Sequence, residues 1–212
     1  MSAPDRNAPV GTAPESISEL LRRFPSTPPP RGTAGAAVTI VLRDGEHGVE
    51  ALLIERTVRE TDIGSGQVGL PGGRVTEEDD TMRTTALREL EEEVGLTLDD
   101  LAGEPVYVST ETARAFSLRV TVFAAELRPH GGPPTVRSSE EVAHVFWLPR
   151  AALGSTRAVD RETIFGIRPV EATIHEGHVL WGFTRRVLRQ FFGLPGGEGD
   201  GPAFAPHATP HP

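Results

Sequence analysis

Glycine and proline are concentrated at the two ends of the chain, and this distribution limits where a packed core can form. The 212 residues include 23 Gly and 19 Pro, about a fifth of the chain, whereas an ordinary globular protein has about 12%. Almost half of them lie in residues 1–35 and 193–212. We therefore expect a Pro-rich N-terminal extension with a short helix over residues 1–35, one folded domain over residues 36–192, and a disordered Gly/Pro-rich tail over residues 193–212.

The middle region carries both strand and helix periodicity. Apolar, β-branched runs predict strands, and apolar residues three and four positions apart predict amphipathic helices. Strands are predicted at 36–43, 49–56, 106–110, 118–127, 142–148 and 163–167, with a hairpin at Asp44-Gly45, and helices at 14–24, 82–94 and 179–192. This order of strands and helices favours an α/β sandwich over a helical bundle or an all-β barrel.

Composition excludes several kinds of chemistry. The chain has no Cys, which excludes a disulfide framework, a thiolate metal site and a cysteine nucleophile. All 21 basic residues are Arg, so there is no lysine for a Schiff base or a phosphate-binding loop. A net charge of −9 argues against a nucleic-acid partner, because phosphate binding needs a clustered positive surface. Without a signal-like start or a long apolar window, we expect a cytoplasmic protein that does not enter a membrane.

The predicted helix over residues 82–94 has an apolar arc beside an acidic arc. The acidic arc holds three carboxylates at helical spacing, Glu89, Glu92 and Glu93. Like charges at this spacing repel one another by a few tenths of a kcal/mol each, roughly. A hard divalent cation offsets that repulsion, since Mg²⁺ takes oxygen ligands and commonly binds carboxylates together with substrate phosphates. The alternative is a solvated acidic helix face.

A glycine-rich turn stands directly before this helix, and glycine allows backbone to approach a ligand closely. Residues 66–96 read GQVGLPGGRVTEEDDTMRTTALRELEEEVGL. The segment resembles the Nudix box of the Nudix hydrolases, G-x5-E-x7-R-E-U-x-E-E-x-G-U, in which U is a bulky apolar residue. The second half of that pattern is matched without a gap by Arg88, Glu89, Leu90, Glu92, Glu93, Gly95 and Leu96.

The resemblance implies a fold and a set of roles. The fold is an α/β/α sandwich around a central mixed β-sheet, and the activity is hydrolysis of a nucleoside diphosphate linked to another group, assisted by Mg²⁺ or Mn²⁺. Glu92 and Glu93 would bind the metal with the carbonyl of Gly72, and Glu89 would be a further ligand or the base. Arg88 would hold the loop and the catalytic helix in position. Such a displacement needs positioning and electrostatic stabilisation but no covalent nucleophile.

The first half of the box departs from the pattern. The interval from Gly73 to Arg88 is one residue longer, and Asp replaces the acidic Glu. Counting from Gly73 gives Asp79 as the partner of Arg88, whereas counting back from Arg88 gives Asp80. From the sequence, either Asp79 or Asp80 is the partner of Arg88.

A further acid from a loop beyond the box is used by several Nudix enzymes. Here a Ser-Ser-Glu-Glu segment precedes the predicted strand at 142–148. Glu141 is our first candidate and Glu140 the second. The alternative is that both are solvated loop residues.

The segment before the box is similar to the coenzyme A pyrophosphatase branch of the family. That branch also has the longer box and a late Trp-Gly-x-Thr sequence, present here at residues 181–184. The branch implies cleavage of coenzyme A or acyl-coenzyme A to 3′,5′-ADP and (acyl-)phosphopantetheine. The matching residues before and within the box are Leu52, Leu53, Arg56, Gly66, Gln67, Pro71, Gly72 and Gly73.

Substrate contacts are predicted close to the same segment. Arg56, Arg59 and Arg74 are candidates for phosphate contacts, because guanidinium groups pair well with phosphate, and Gln67 is a further substrate-binding candidate. A solvated surface Arg is the alternative for each.

The same residues are compatible with two other functions. One is hydrolysis of ADP-ribose or another nucleoside diphosphate derivative, and the other is a Nudix-fold binding module without turnover. The intact carboxylate set favours an enzyme. Because many members of the family are dimers, the resemblance also implies a homodimer.

Two further patterns are set aside. Residues 64–69 satisfy a dinucleotide-binding fingerprint, but that motif must open a helix and here Pro71 follows at once. The histidines of His175-Glu176-Gly177-His178 are three residues apart and do not have the H-E-x-x-H spacing of zinc proteases. We expect His175 and His178 to be solvated loop residues.

Overall fold

The computed structural model describes residues 16–24, 27, 32, 34–58, 66–113, 117–163 and 166–194. Within these ranges the α-helices are α1 (Ile17–Leu21), α2 (Met82–Val94) and α3 (Gly182–Phe191), and 3₁₀ turns lie at Leu98–Asp100 and Arg150–Gly154. The strands are β1 (Ala36–Gly45), β2 (Gly48–Arg56), β3 (Val68–Gly69), β4 (Gly72–Arg74), β5 (Val106–Ala113), β6 (Leu118–Glu126), β7 (Val142–Pro149), β8 (Arg157–Thr163), β9 (Gly166–His175) and β10 (His178–Trp181).

The central sheet is mixed and opens around a short glycine-rich insert. β1 pairs in parallel with β6 and antiparallel with β2, and β7 and β5 pair with the outer edges of β2 and β6. Strand β3 pairs with the last part of β2, whereas β4 pairs with the first part of β1. The opposite edge of β2 pairs with β7, and the opposite edge of β1 pairs with β6. The β3–β4 segment therefore lies between β1 and β2, where these two strands diverge.

Helices cover both faces of this sheet. Leu90 and Val94 of α2 pack with Val41, Leu52 and Ile54 on one face. On the other face, α3 and α1 pack against the residues of β1 and β2 that point the opposite way, with a buried cluster that includes Ile17, Leu20, Ile40, Leu42, Leu53, Val187, Leu188 and Phe191. The alternation of side chains along each strand therefore supplies both apolar layers. This arrangement confirms the α/β fold class with a mixed central sheet.

Helix α2 has the predicted bounds because its signals are local. Thr81 caps its start by accepting a hydrogen bond from the backbone N–H of Thr84 at 3.0 Å. Gly95 ends it in the left-handed conformation, with φ of 71°. Of the predicted apolar arc, Ala86, Leu90 and Val94 are buried, whereas Leu87 is only partly buried; Met82 is buried as well.

Other expectations need correction. The prediction of one strand at 163–167 was wrong, because Thr163 ends β8 and Gly166, whose φ of 86° suits a turn, begins β9. The C-terminal helix begins at Gly182 rather than at 179, because His178–Trp181 pairs with β9. In the first hairpin, Asp44 and Gly45 belong to β1, and the turn falls two residues later.

The ends of the chain are described only in part. The N-terminal helix is confirmed over Ile17–Leu21, with Ser16 as its cap in a reciprocal pair with Glu19. Most of the predicted extension and tail lies outside the described residues, so the proposed domain boundaries stay predictions. Among the described residues, no helix is long and apolar enough to cross a membrane.

Candidate active site

The Gly72-Gly73 pair brings backbone directly against two carboxylates of α2. The N–H of Gly72 donates to Glu93 Oε2 at 2.8 Å. Gly72 has φ of 146°, and a Cβ there would clash with backbone atoms of Ala37 and Val38. A Cβ on Gly73 would occupy the space of the Glu89 carboxylate. Glycine is therefore required at position 72 for the turn to pack against β1, whereas a side chain at position 73 would displace the Glu89 carboxylate.

Arg88 fixes this turn to the helix and decides the register of the motif. Its Nε donates to Asp79 Oδ1 at 3.1 Å and its Nη2 to Asp79 Oδ2 at 3.0 Å. Nη2 also donates to the carbonyl of Arg74 at 3.0 Å. Asp79 is 1% exposed, whereas Asp80 is exposed. The partner of Arg88 is therefore Asp79, and the extra residue of the longer interval lies between Asp79 and Arg88.

The Asp79 carboxylate is held firmly in its charged form. The bonds from Arg88 lower its pKa most, and the backbone N–H and hydroxyl of Thr76 act in the same direction against the effect of burial. In turn, Asp79 raises the pKa of Arg88. The pair stays ionised throughout the physiological range.

The remaining nitrogen of Arg88 contacts the metal-ligand candidates. Its Nη1 donates to Glu89 Oε1 and to Glu92 Oε2, both at 2.9 Å. Glu92 points outward, with 57% of its side chain exposed. The described residues contain no group of three or more acidic or histidine side chains already arranged as metal ligands.

Glu93 is buried and Glu89 partly buried, unlike the exposed carboxylates of a solvated helix face. Glu93 is 3% exposed, and burial raises its pKa to about 8, with the charges of Glu89 and Glu141 adding to that rise. The Gly72 N–H and the charge of Arg56 act in the opposite direction. Burial also raises the pKa of Glu89, against the influence of Arg88. Repulsion among buried carboxylates is relieved by a cation, so the donor chemistry fits a hard divalent metal.

Glu141 approaches this cluster from another part of the chain. It lies close enough that its charge raises the pKa values of both Glu89 and Glu93. Its carbonyl accepts a hydrogen bond from the N–H of Thr57 at 2.9 Å, next to Arg56 at the end of β2. Glu140 and Glu141 are both exposed, and Glu141 is the one whose charge reaches Glu89 and Glu93.

Only some of the residues predicted to contact substrate lie close together. Arg56 lies near Glu93, and its N–H donates to the carbonyl of Gln67 at 3.0 Å. Arg74 has an exposed side chain, and its described contact with the site is made through its carbonyl to Arg88. Arg59 lies outside the described residues.

Several residues at or near the site were not predicted. Thr76 had a local signal, because its spacing of three from Asp79 is typical of a side-chain turn. Thr57 had none, since its hydroxyl donates to the carbonyl of Ser139, 82 residues away, at 3.0 Å.

The prediction that His178 is a solvated loop residue was wrong. It lies in β10, its Nδ1 is 2.8 Å from Glu55 Oε2, and its ring stacks on Phe146 at 3.9 Å between centroids. His175 is also partly buried, at the end of β9. Strand pairing between β9 and β10 removes both residues from a loop.

Comparison with known proteins identifies the family of this chain. The family model of the NUDIX domain matches residues 33–166, more than half of the chain. The uncharacterized Nudix hydrolase NudL of Cronobacter sakazakii is 28% identical over 189 residues, which cover 84% of this chain and 94% of that protein. Nudix hydrolase 15, mitochondrial, of Arabidopsis thaliana is 38% identical over 186 residues, which cover 82% of this chain and 61% of that protein.

Solved structures show the same fold. The crystal structure of a NUDIX hydrolase from Alicyclobacillus acidocaldarius superposes with a TM-score of 0.51 at 19% identity, covering 80% of this chain and 98% of that one. This superposition supports the fold, and the family follows from the matched domain model. The chain belongs to the Nudix hydrolase family, enzymes that act on phosphoric anhydride bonds with the help of divalent metal ions.

Proposed function

We propose that this protein is a Mg²⁺- or Mn²⁺-dependent pyrophosphohydrolase that cleaves coenzyme A or acyl-coenzyme A to 3′,5′-ADP and (acyl-)phosphopantetheine. The observation that carries the hydrolytic part is the placement of the α2 carboxylates at the Gly72-Gly73 turn, where the Gly72 N–H binds Glu93 and Arg88 binds Glu89 and Glu92, with the charge of Arg56 nearby. Carboxylates bind the metal, and a nearby guanidinium binds a phosphate. Both are needed for a pyrophosphate substrate.

The metal would be held by Glu92, Glu93 and the carbonyl of Gly72, with Glu89 as a further ligand or as the base. When bound, the ion neutralises charge on the pyrophosphate oxygens and lowers the pKa of a coordinated water. The Gly72 N–H keeps Glu93 directed at the turn. Arg88 holds Glu89 and Glu92 on the same side of the helix, and must share these carboxylates with the cation.

Other side chains of the site bind substrate or complete the acid set. Arg56 contacts a substrate phosphate, because it lies beside Glu93 at the end of β2. Gln67, whose backbone is bonded to Arg56, and Arg74, whose side chain is exposed on β4, contribute further contacts. Glu141 is the additional acid beyond the box.

Coenzyme A specificity rests on the sequence before the box and on how the fold uses it. The Arg56 and Gln67 positions of the branch pattern are joined by a backbone hydrogen bond at 3.0 Å. The Trp-Gly-x-Thr sequence forms the start of α3, where Trp181 precedes the first helical residue. Both parts of the pattern therefore occupy defined structural positions.

A substrate panel tests this proposal. Purified protein with Mg²⁺ or Mn²⁺ is offered coenzyme A, ADP-ribose, diadenosine polyphosphates and nucleoside triphosphates, and the products are identified by mass. Coenzyme A should be cleaved with the highest kcat/KM. More than tenfold preference for ADP-ribose would replace the coenzyme A assignment, and no hydrolysis of any compound would favour the binding module.

Two properties of the assembled protein complete the proposal. We infer a cytoplasmic homodimer with no nucleic-acid partner, in keeping with the net charge of −9 and with the resemblance to a family that has many dimers. Light scattering coupled to size-exclusion chromatography tests the dimer, and cell fractionation tests the location.

A further inference from the structure

The segment over residues 132–141, here called the Glu141 loop, is attached to the catalytic helix at one end. The N–H of Thr135 donates to the carbonyl of Val94 at 2.9 Å, and the N–H of Arg137 donates to the carbonyl of Glu93 at 3.0 Å. These carbonyls belong to the last turn of α2, which has no intrahelical partners for them. The loop therefore completes the end of the helix that carries Glu93.

At its other end the Glu141 loop is attached to Thr57, the residue that follows strand β2. The Thr57 hydroxyl donates to the carbonyl of Ser139 at 3.0 Å, and the Thr57 N–H donates to the carbonyl of Glu141 at 2.9 Å. Between these points the chain forms a tight turn, in which the carbonyl of Ser138 accepts from the N–H of Glu141 at 3.0 Å. Both peptide groups that flank the Glu141 side chain are thus fixed.

We infer that Thr57 is a positioning residue for the hydrolytic reaction, which acts by holding the Glu141 carboxylate against Glu89 and Glu93. The inference rests on the proposed role of Glu141 as the additional acid. Thr57 follows Arg56 directly, so one strand end presents a guanidinium to the site and a hydroxyl to the loop that supplies the acid. A catalytic group displaced by about 1 Å can lose roughly a hundredfold in rate.

The hydroxyl can be removed without changing the shape of the side chain. Thr57→Val keeps the β-branch and the backbone N–H bond to Glu141, but loses the bond to Ser139. Thr57→Ser keeps the hydroxyl. Thr163→Val is the matched control, because the Thr163 hydroxyl also donates to a backbone carbonyl, that of Gly166, at 2.8 Å in the β8–β9 hairpin. Both valine variants lose one bond of the same kind.

The test measures kcat, KM and Tm on the full-length protein with Mg²⁺ and the best substrate of the panel. We expect Thr57→Val to lower kcat about tenfold with KM changed less than about twofold, as for a misplaced catalytic group. Thr57→Ser should restore kcat to within about twofold of wild type, and Thr163→Val should leave kcat unchanged. The two valine variants should lose similar amounts of Tm.

A double-mutant cycle with Glu141→Gln separates this inference from the proposed function. Glu141→Gln alone should lower kcat strongly, and adding Thr57→Val should cost less than a further twofold or so, because the group to be positioned is gone. If Glu141→Gln has wild-type kcat, the proposed role of Glu141 fails and the inference fails with it. If Glu141→Gln lowers kcat but Thr57→Val does not, or lowers it equally in both backgrounds, the inference alone is overturned.

Discussion

Asp79 and Arg88 form a two-point ion pair, with Nε 3.1 Å from Oδ1 and Nη2 3.0 Å from Oδ2, although the sequence motif leaves it open which of two aspartates takes part. Asp79 is buried and Arg88 half-buried. The pair joins the loop between β4 and α2 to the middle of α2. It therefore supports both the stability of the fold and the placement of Glu89 and Glu92.

Replacing Asp79 should destabilise the protein far more than replacing its neighbour. Asp79→Asn leaves Arg88 without its main counter-ion, and breaking a pair with a buried partner costs about 3 kcal/mol. Asp80→Asn, at an exposed position, should cost less than about 0.5 kcal/mol. Urea unfolding of both variants gives the comparison. Equal losses would show that the register of the motif is misassigned.

The raised pKa of Glu93 predicts how stability depends on pH in the metal-free protein. The pKa of Glu93 is about 8 in the folded state and 4.5 as its ordinary value. At pH values between these two, Glu93 of the folded protein retains a proton that the unfolded chain has lost. The associated stability is present below the ordinary pKa and is lost as pH rises through about 8.

Glu93→Gln provides the comparison for this pH effect. In the presence of EDTA, urea unfolding from pH 5 to 9 should show wild type losing more stability than Glu93→Gln, by up to about 1.4 kcal/mol per pH unit. Addition of Mg²⁺ should reduce the loss in wild type, because the ion binds the charged carboxylate. Parallel curves for the two proteins would contradict the proton uptake at Glu93.

A methyl group at Gly73 should disturb catalysis more than one at Gly69. In Gly73→Ala the new Cβ meets the Glu89 carboxylate, whereas nothing lies within 4 Å of a Cβ at Gly69. We expect kcat to fall by about tenfold or more in Gly73→Ala, since Glu89 must move. Gly69→Ala should keep kcat within about twofold of wild type. Equal kcat values would mean that Glu89 has no fixed role.

Local signals explain what could be predicted from the sequence. Helix α2 was predicted with its observed bounds because its periodicity lies within the element and Gly95 follows it directly. The carboxylates on its acidic arc were found for the same reason. The insertion before Arg88 left the aspartate undecided, since only the folded loop shows which side chain reaches the guanidinium.

Distant contacts explain what could not be predicted. A second sheet, formed by β8, β9 and β10, was missed because β8 alternates exposed and partly buried residues and β9 begins with four exposed residues, so that neither strand reads as an apolar run. The pairing of His178 with Glu55 joins residues 123 positions apart, and no local pattern announces it. The hydrogen bond from Thr57 to Ser139 also joins residues that are far apart in the sequence, so no local pattern predicts it.

The central claim, that Glu93 and Glu92 bind the catalytic metal, is tested most directly by Mg²⁺-dependent hydrolysis of coenzyme A in glutamine variants of α2. Glu93→Gln and Glu92→Gln should each lower kcat by at least about a hundredfold while remaining folded. Glu91→Gln, at an exposed position of the same helix, should keep wild-type activity. Near-full Mg²⁺-dependent activity in both Glu93→Gln and Glu92→Gln would contradict the account.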